Sequence, residues 1–183
     1  MTDTSPSQRL AALRGELDRA GVQGFLLTRG DAHLGEYVAP DSERLAWLTG
    51  FTGSAGCAVV LADRARVFSD GRYVLQLESQ TDGTVWERGH MIEQPPERWA
   101  AQAAPGARIG YDPRLISAEM LARFERAGLA MVPLAADPVD AVWTGRPAPP
   151  LAAAVPHDAA YSGLDSEAKR QDRKSTRLNS SHL

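Results

Sequence analysis

CAVVLADRARVFSDGRYVLQLESQTDGTVWE, residues 57–87, is the stretch on which the fold turns. Residues 57–62 (CAVVLA) and 66–69 (RVFS) read as strands, and only the turn segment Asp63-Arg64-Ala65 separates them, which is hairpin spacing. From Arg72 to Gln80 the pattern becomes that of a helix, with Tyr73, Leu75, Gln76 and Leu77 offered to a half-buried face and Asp82-Gly83 as its stop. Thr84–Glu87 reads as the next strand.

Working outward toward the N-terminus, Leu10, Leu13, Leu17 and Ala20 recur at helical spacing behind Ser5-Pro6, and Gly21 follows, so residues 7–20 read as an amphipathic helix. Gly24–Leu27 reads as a short buried strand ended by the turn Thr28–Asp31, and Asp41 and Ser42 are placed to cap a short helix through Leu48, closed by Gly50. Toward the C-terminus, Pro95-Pro96 and Pro105-Gly106 bracket a helix over Glu97–Ala104. Arg108–Tyr111 is a strand, Ser117–Ala127 a helix ended by Gly128, Ala130–Leu134 a strand, and Pro138–Trp143 a last helical turn. Six strands interleaved with five helices and a last helical turn predict an α/β fold: a mixed six-stranded sheet with helices on both faces, because crossover helices need two faces to pack on.

That domain is expected over residues 8–144. From Gly145 the composition turns to GRPAPPLAAAVP, semi-rigid proline-rich material, so 145–160 reads as a linker. Residues 161–171 read as the start of a truncated second domain. The last stretch, 172–183, is abruptly polar and without periodicity, and resembles a translated sequencing-library adapter.

Composition excludes several classes of function. With 43% hydrophobic and 23% charged residues the chain is globular rather than disordered. One cysteine, Cys57, rules out an internal disulfide framework and fits a reducing, cytoplasmic compartment. The start MTDTSPSQRL has neither a basic flank nor an apolar run, so no signal peptide is expected, and no apolar run approaches the roughly 20 residues that a bilayer requires. A net charge of −3 argues against a nucleic-acid partner.

The chemistry-bearing residues are sparse. His33, His90, His157 and His182 are isolated, with none at a spacing that would share a metal, so no metal site is expected in this chain. The glycines of GFTGSAG (residues 50–56) lead from a helix into a strand and lack Gly-Lys-Ser/Thr, which fails a phosphate loop, and Thr52 fails a nucleophile elbow. Tight turning into a buried strand is their expected role, and Cys57 reads as a small core residue. In Ser69-Asp70-Gly71-Arg72-Tyr73, Asp70 can cap the following helix. Arg72, a cation in the first turn, opposes the helix dipole, and its guanidinium suits an anion or peptide carbonyls elsewhere, although spacing alone favours a plain surface arginine.

Four strings, in order and in spacing, resemble the N-terminal domain of the Xaa-Pro aminopeptidases (aminopeptidase P, of the creatinase/prolidase superfamily), in particular the long three-domain cytosolic type. They are Asp31–Ser54 (DAHLGEYVAPDSERLAWLTGFTGS), Ser69–Gln76 (SDGRYVLQ), Ile109–Pro113 (IGYDP) and Val139–Pro147 (VDAVWTGRP), and the resemblance extends over about residues 8–170. It implies an enzyme that removes the N-terminal residue from peptides with proline second. It also implies that the chemistry lies in a later "pita-bread" domain holding two manganese ions, that the chain in hand stops before that domain, and that the complete protein is a cytoplasmic homodimer. No catalytic residue is carried over, and the chain alone is expected to be inactive. One substrate-binding residue is carried over: Arg72 matches the family arginine that reaches from this domain to the bound peptide. Two alternatives stay open: a non-enzymatic, peptide- or histone-binding module on the same architecture, and a creatinase-like or prolidase-like hydrolase.

Overall fold

Ser5 opens the first helix in a reciprocal cap: its Oγ accepts from the Gln8 amide at 3.3 Å while Gln8 Oε1 accepts from the Ser5 amide at 2.9 Å. The helix so begun, α1 (Pro6–Ala20), ends at Gly21 in the left-handed conformation and buries Leu10, Leu13 and Leu17. The computed structural model describes residues 4–180, with side chains to residue 174. It divides into two units, up to Pro150 and from Leu151 onward.

In the first unit the remaining elements follow as β1 (Gly24–Thr28), α2 (Arg44–Thr49), β2 (Cys57–Leu61), β3 (Ala65–Ser69), α3 (Val74–Gln80), β4 (Glu87–His90), α4 (Pro96–Ala103), β5 (Arg108–Tyr111), α5 (Ala118–Arg126), β6 (Ala130–Pro133) and α6 (Pro138–Val142). The six strands form one mixed sheet in the order β4-β3-β2-β1-β5-β6. β2 is antiparallel to both β1 and β3, while β3/β4, β1/β5 and β5/β6 are parallel. The alternation of strand side chains explains why both faces are covered. Phe25, Leu27, Ala58, Val60 and Val67 point to one side, where they meet the leucines of α1, Leu45 and Leu48 of α2, Leu77 of α3 and Val139 of α6. Leu26, Cys57, Val59, Leu61, Phe68 and Ile109 point to the other, where they meet Trp99 and Ala100 of α4 and Phe124 of α5. The mixed six-stranded sheet with helices on both faces is therefore as expected.

Three local readings are corrected. The fourth strand is Glu87–His90 rather than Thr84–Glu87. Asp82 explains the shift: Oδ1 accepts from both the amide and the hydroxyl of Thr84, its carbonyl accepts from the amides of Val85 and Trp86, and these residues wind into a turn that drops Trp86 into the core. Leu75, expected on the half-buried face of α3, is 80% exposed, because the helix buries Leu77. Asp41 and Ser42 do not cap α2: they lie in a 3₁₀ turn, Pro40–Ser42, and α2 starts after Glu43.

The second unit holds α7 (Ala159–Ser162) and α8 (Ser166–Ser180), so one helix crosses residue 172, where an aperiodic tail was expected. Helix-favouring Ala168, Lys169, Arg170 and Gln171, with Arg170 paired to Glu167 at 3.1 Å, sustain it without an apolar stripe. His182 and the rest of 181–183 lie outside the described residues. No helix among the described residues is long and apolar enough to cross a membrane.

Candidate functional site

Five strands of the sheet run in one direction and β2 alone in the other. The carboxyl ends of β1, β3, β4, β5 and β6 thus gather at one rim, where open α/β sheets place their ligands. Loops there begin at Arg29, Asp70 and Asp112, and the loop that feeds β2 arrives through Ser54.

Arg72 stands at this rim in a 3₁₀ turn, Gly71–Tyr73, just ahead of α3. Asp70 caps the turn by accepting from the Arg72 amide at 3.0 Å, and the same carboxylate grips the guanidinium, Oδ1 accepting from Nε at 3.1 Å and Oδ2 from Nη2 at 2.8 Å. The anion that Arg72 reaches within this chain is therefore its own cap. This pairing offsets the unfavourable helix-dipole position. The hydrogen bonds from Arg72 hold the Asp70 carboxyl below its ordinary pKa and, reciprocally, Asp70 raises that of Arg72.

A relay of contacts fixes the guanidinium from below. It lies over the Tyr73 ring, 5.2 Å from the centroid. The Tyr73 hydroxyl shares a 2.6 Å hydrogen bond with Ser54 Oγ, which lowers the phenol's pKa. The Ser54 carbonyl accepts from Arg29 Nη1 at 3.3 Å, and the same nitrogen donates to the Glu36 carbonyl at 2.8 Å, tying in the loop that carries the exposed Leu34 and Tyr37. Sequence reasoning identified Arg72 but missed Asp70 as its partner and Ser54, Tyr73 and Arg29 as its support.

Beside the pair, between α3 and the edge strand β4, lies a cavity of about 170 Å³ lined by Ser69, Asp70, Val74, Leu77, Arg88 and His90 among others. Arg88 is engaged on the end of α3 through Nε and Nη2, donating to Thr81 Oγ1 at 2.9 Å and to the Thr81 and Glu78 carbonyls. His90 Nδ1 accepts from the Ile92 and Glu93 amides, so its remaining nitrogen, Nε2, is the one open to the cavity side near Gly71.

A second polar cluster sits farther along the rim, and the sequence reading did not single it out. Arg44, almost wholly buried, donates to both oxygens of Asp140 and lies 3.5 Å from Asp137. Asp137 caps α6 through Val139, while its Oδ2 has no hydrogen-bond partner. Burial pushes the Asp137 carboxyl up to about 6 despite the nearby guanidinium.

The remaining candidates take structural places. Cys57 is fully buried, and burial raises its thiol to about 12, far from nucleophilic. Gly50 has φ +85°, and a Cβ on Gly56 would lie 2.9 Å from the Phe68 carbonyl oxygen, so this glycine-rich segment turns tightly into β2. The Asp31 carboxylate accepts from the amides of His33 and Gly35, which makes His33 part of a side-chain-closed turn. Among the described residues no group of three or more His, Cys, Asp or Glu could hold a metal ion.

Residues 9–142 match the Creatinase/Prolidase N-terminal domain family. A protein of Coccidioides posadasii named "Probable Xaa-Pro aminopeptidase P" is 37% identical over 176 residues, 91% of this chain and 27% of its own length. Xaa-Pro aminopeptidase 2 of Homo sapiens is 34% identical over 168 residues, 88% of this chain and 24% of its own length. The X-prolyl aminopeptidase of Caenorhabditis elegans, described as a cytosolic enzyme with a di-nuclear active site, matches with TM-score 0.78 at 29% identity, over 97% of this chain and 32% of that one. The N-terminal domain of the cytoplasmic peptidase PepQ from Mycobacterium tuberculosis matches with TM-score 0.57 at 22% identity, a likeness of fold alone. The chain thus spans about a quarter of the length of these two curated relatives.

Proposed function

The chain belongs to the creatinase/prolidase N-terminal domain family, and from that premise we propose that it is the non-catalytic N-terminal domain of an aminopeptidase that releases the first residue of Xaa-Pro peptides. In this reading the rim at Asp70–Tyr73 shapes the entrance to an active site carried by a further domain, and Arg72 donates to the bound peptide. The observation that carries it is Arg72 itself, 66% exposed yet held by a bidentate carboxylate and an aromatic ring. A side chain fixed in place while its outer donors face solvent is built to meet something. The names of the Coccidioides and human relatives support the substrate class.

The C. elegans enzyme, described as cytosolic and di-nuclear, supports a cytoplasmic setting and metal-assisted hydrolysis in the complete protein. The residues described in this chain do not fit a metal centre. The two manganese ions of this reading belong to the further domain, and so does the homodimer contact. No step of the hydrolysis is assigned to this chain.

The test is Arg72→Ala in the complete polypeptide, assayed on an Arg-Pro-Pro peptide. The expected result is a fall in kcat/KM of about tenfold or more, carried mainly by KM if the contact serves binding alike in ground and transition states. Unchanged kinetics would end the reading of Arg72 as a substrate contact.

A further inference from the structure

The way Asp70 grips Arg72 determines what the guanidinium has left to offer. Nε and Nη2 are committed to the two carboxylate oxygens. Nη1 donates to nothing among the described residues, so its two N–H groups and the second N–H of Nη2 form the open edge. Arg72 is 66% exposed and Asp70 24%, so an incoming group meets donors first. Those donors carry little net charge, because the carboxylate cancels the cation at hydrogen-bond distance. The neighbourhood is acidic besides: Glu36 lies close enough for its charge to act on Arg72, and Glu78 lines the adjoining cavity. An anion arriving here would gain hydrogen bonds but meet at least two carboxylates, whereas a neutral carbonyl would gain the same hydrogen bonds without the repulsion.

We propose that Asp70 is a positioning and specificity-determining residue: it sets the Arg72 donor edge and cancels its charge, so that the neutral carbonyl of a continuing peptide is accepted over the carboxylate that ends a dipeptide. This rests on the reading that Arg72 meets the peptide. Asp70 touches no substrate; it acts through Arg72.

Asp70→Asn isolates this role, because asparagine keeps an oxygen to accept from the Arg72 amide and so preserves the cap while removing the charge. In the complete polypeptide, kcat/KM is measured for Ala-Pro, Ala-Pro-amide and Ala-Pro-Ala. The wild type is expected to favour the amide over the free acid by about tenfold, and Asp70→Asn to narrow that gap to about twofold by improving the acid. Arg72→Ala is expected to lower kcat/KM for all three substrates and to abolish the gap. A wild type that uses acid and amide equally overturns the proposal whether or not the variant folds. So does an undiminished gap in a folded Asp70→Asn protein whose Arg72→Ala counterpart is impaired, for then Asp70 is only a cap. If Arg72→Ala changes nothing, it is the underlying reading that fails.

Discussion

Arg44 and Asp140 meet edge to edge across 96 residues of chain, Nε and Nη2 donating to the two carboxylate oxygens at 2.7 and 2.9 Å. The pair joins α2 to α6 on one face of the sheet, with the guanidinium 8% exposed. Burial works against the charge on both partners, but the hydrogen bonds and charges they exchange, with Arg146 also 2.8 Å from Asp140, outweigh it, lowering the Asp140 pKa and raising that of Arg44. Arg44→Ala would leave buried Asp137 without its cation and Asp140 with Arg146 alone, 2.8 Å away, and we expect a loss of about 3 kcal/mol in urea unfolding. Arg44→Lys should recover only part of it, since an ammonium cannot make the two-pronged contact. A loss below about 1 kcal/mol for the alanine variant would show the pair to be incidental.

Asp137 makes stability depend on pH in a direction opposite to its neighbours. Its folded-state pKa of about 6 lies above the ordinary 3.8, so the fold prefers the protonated form. Ionising it opposes folding above pH 6, and stability is recovered as pH falls from about 6 toward 4, by an amount on the order of 2 kcal/mol. Asp112 and Asp140, with lowered pKa values, lose their contribution only as pH falls below the ordinary carboxylate range. Asp137→Asn keeps the cap on Val139 and removes the titration. Thermal unfolding should therefore show a wild-type midpoint that rises between pH 7.5 and 5 relative to the variant. Parallel profiles for the two proteins would count against this assignment.

Gly50 and Gly21 both end helices in the left-handed conformation, with φ +85° and +66°. A Cβ on Gly21 would find open space, whereas one on Gly50 would lie 2.5 Å from the Gln80 carbonyl oxygen. Gly21→Ala should cost about 1 kcal/mol, the conformational penalty alone, and Gly50→Ala about 2 kcal/mol more, since backbone must also move. Equal costs in equilibrium unfolding would contradict the close approach of α3 to this turn.

The 183-residue chain by itself should not hydrolyse an Arg-Pro-Pro peptide, with or without added manganese. Turnover by the purified chain, proportional to its concentration, would overturn the division of labour proposed above.

Legibility in the sequence followed the source of each element's order. β2 and β3 were readable because their apolar residues alternate between two cores. β4 was not, because Glu87-Arg88-Gly89-His90 is polar and half-buried at the sheet edge, whereas the apolar Val85-Trp86 beside it looks like a strand and is held in a turn by Asp82. At the candidate site, Arg72 stood out for its position, yet its partner was hidden in plain view: Asp70 was read as a cap, and one carboxylate serves as both cap and clamp. Arg44, Asp137 and Asp140 lie up to 96 residues apart and share no local pattern, so only the folded sheet brings them together.

The seating of α1 against α6 ties the first helix to the last of this unit. During synthesis α1 leaves the ribosome well before α6, but the core cluster that holds Leu10, Leu13 and Leu17 is complete only when Val139 has emerged. Contacts of such high contact order close late and slowly. The nascent segment therefore keeps part of its leucine stripe uncovered until translation has passed α6.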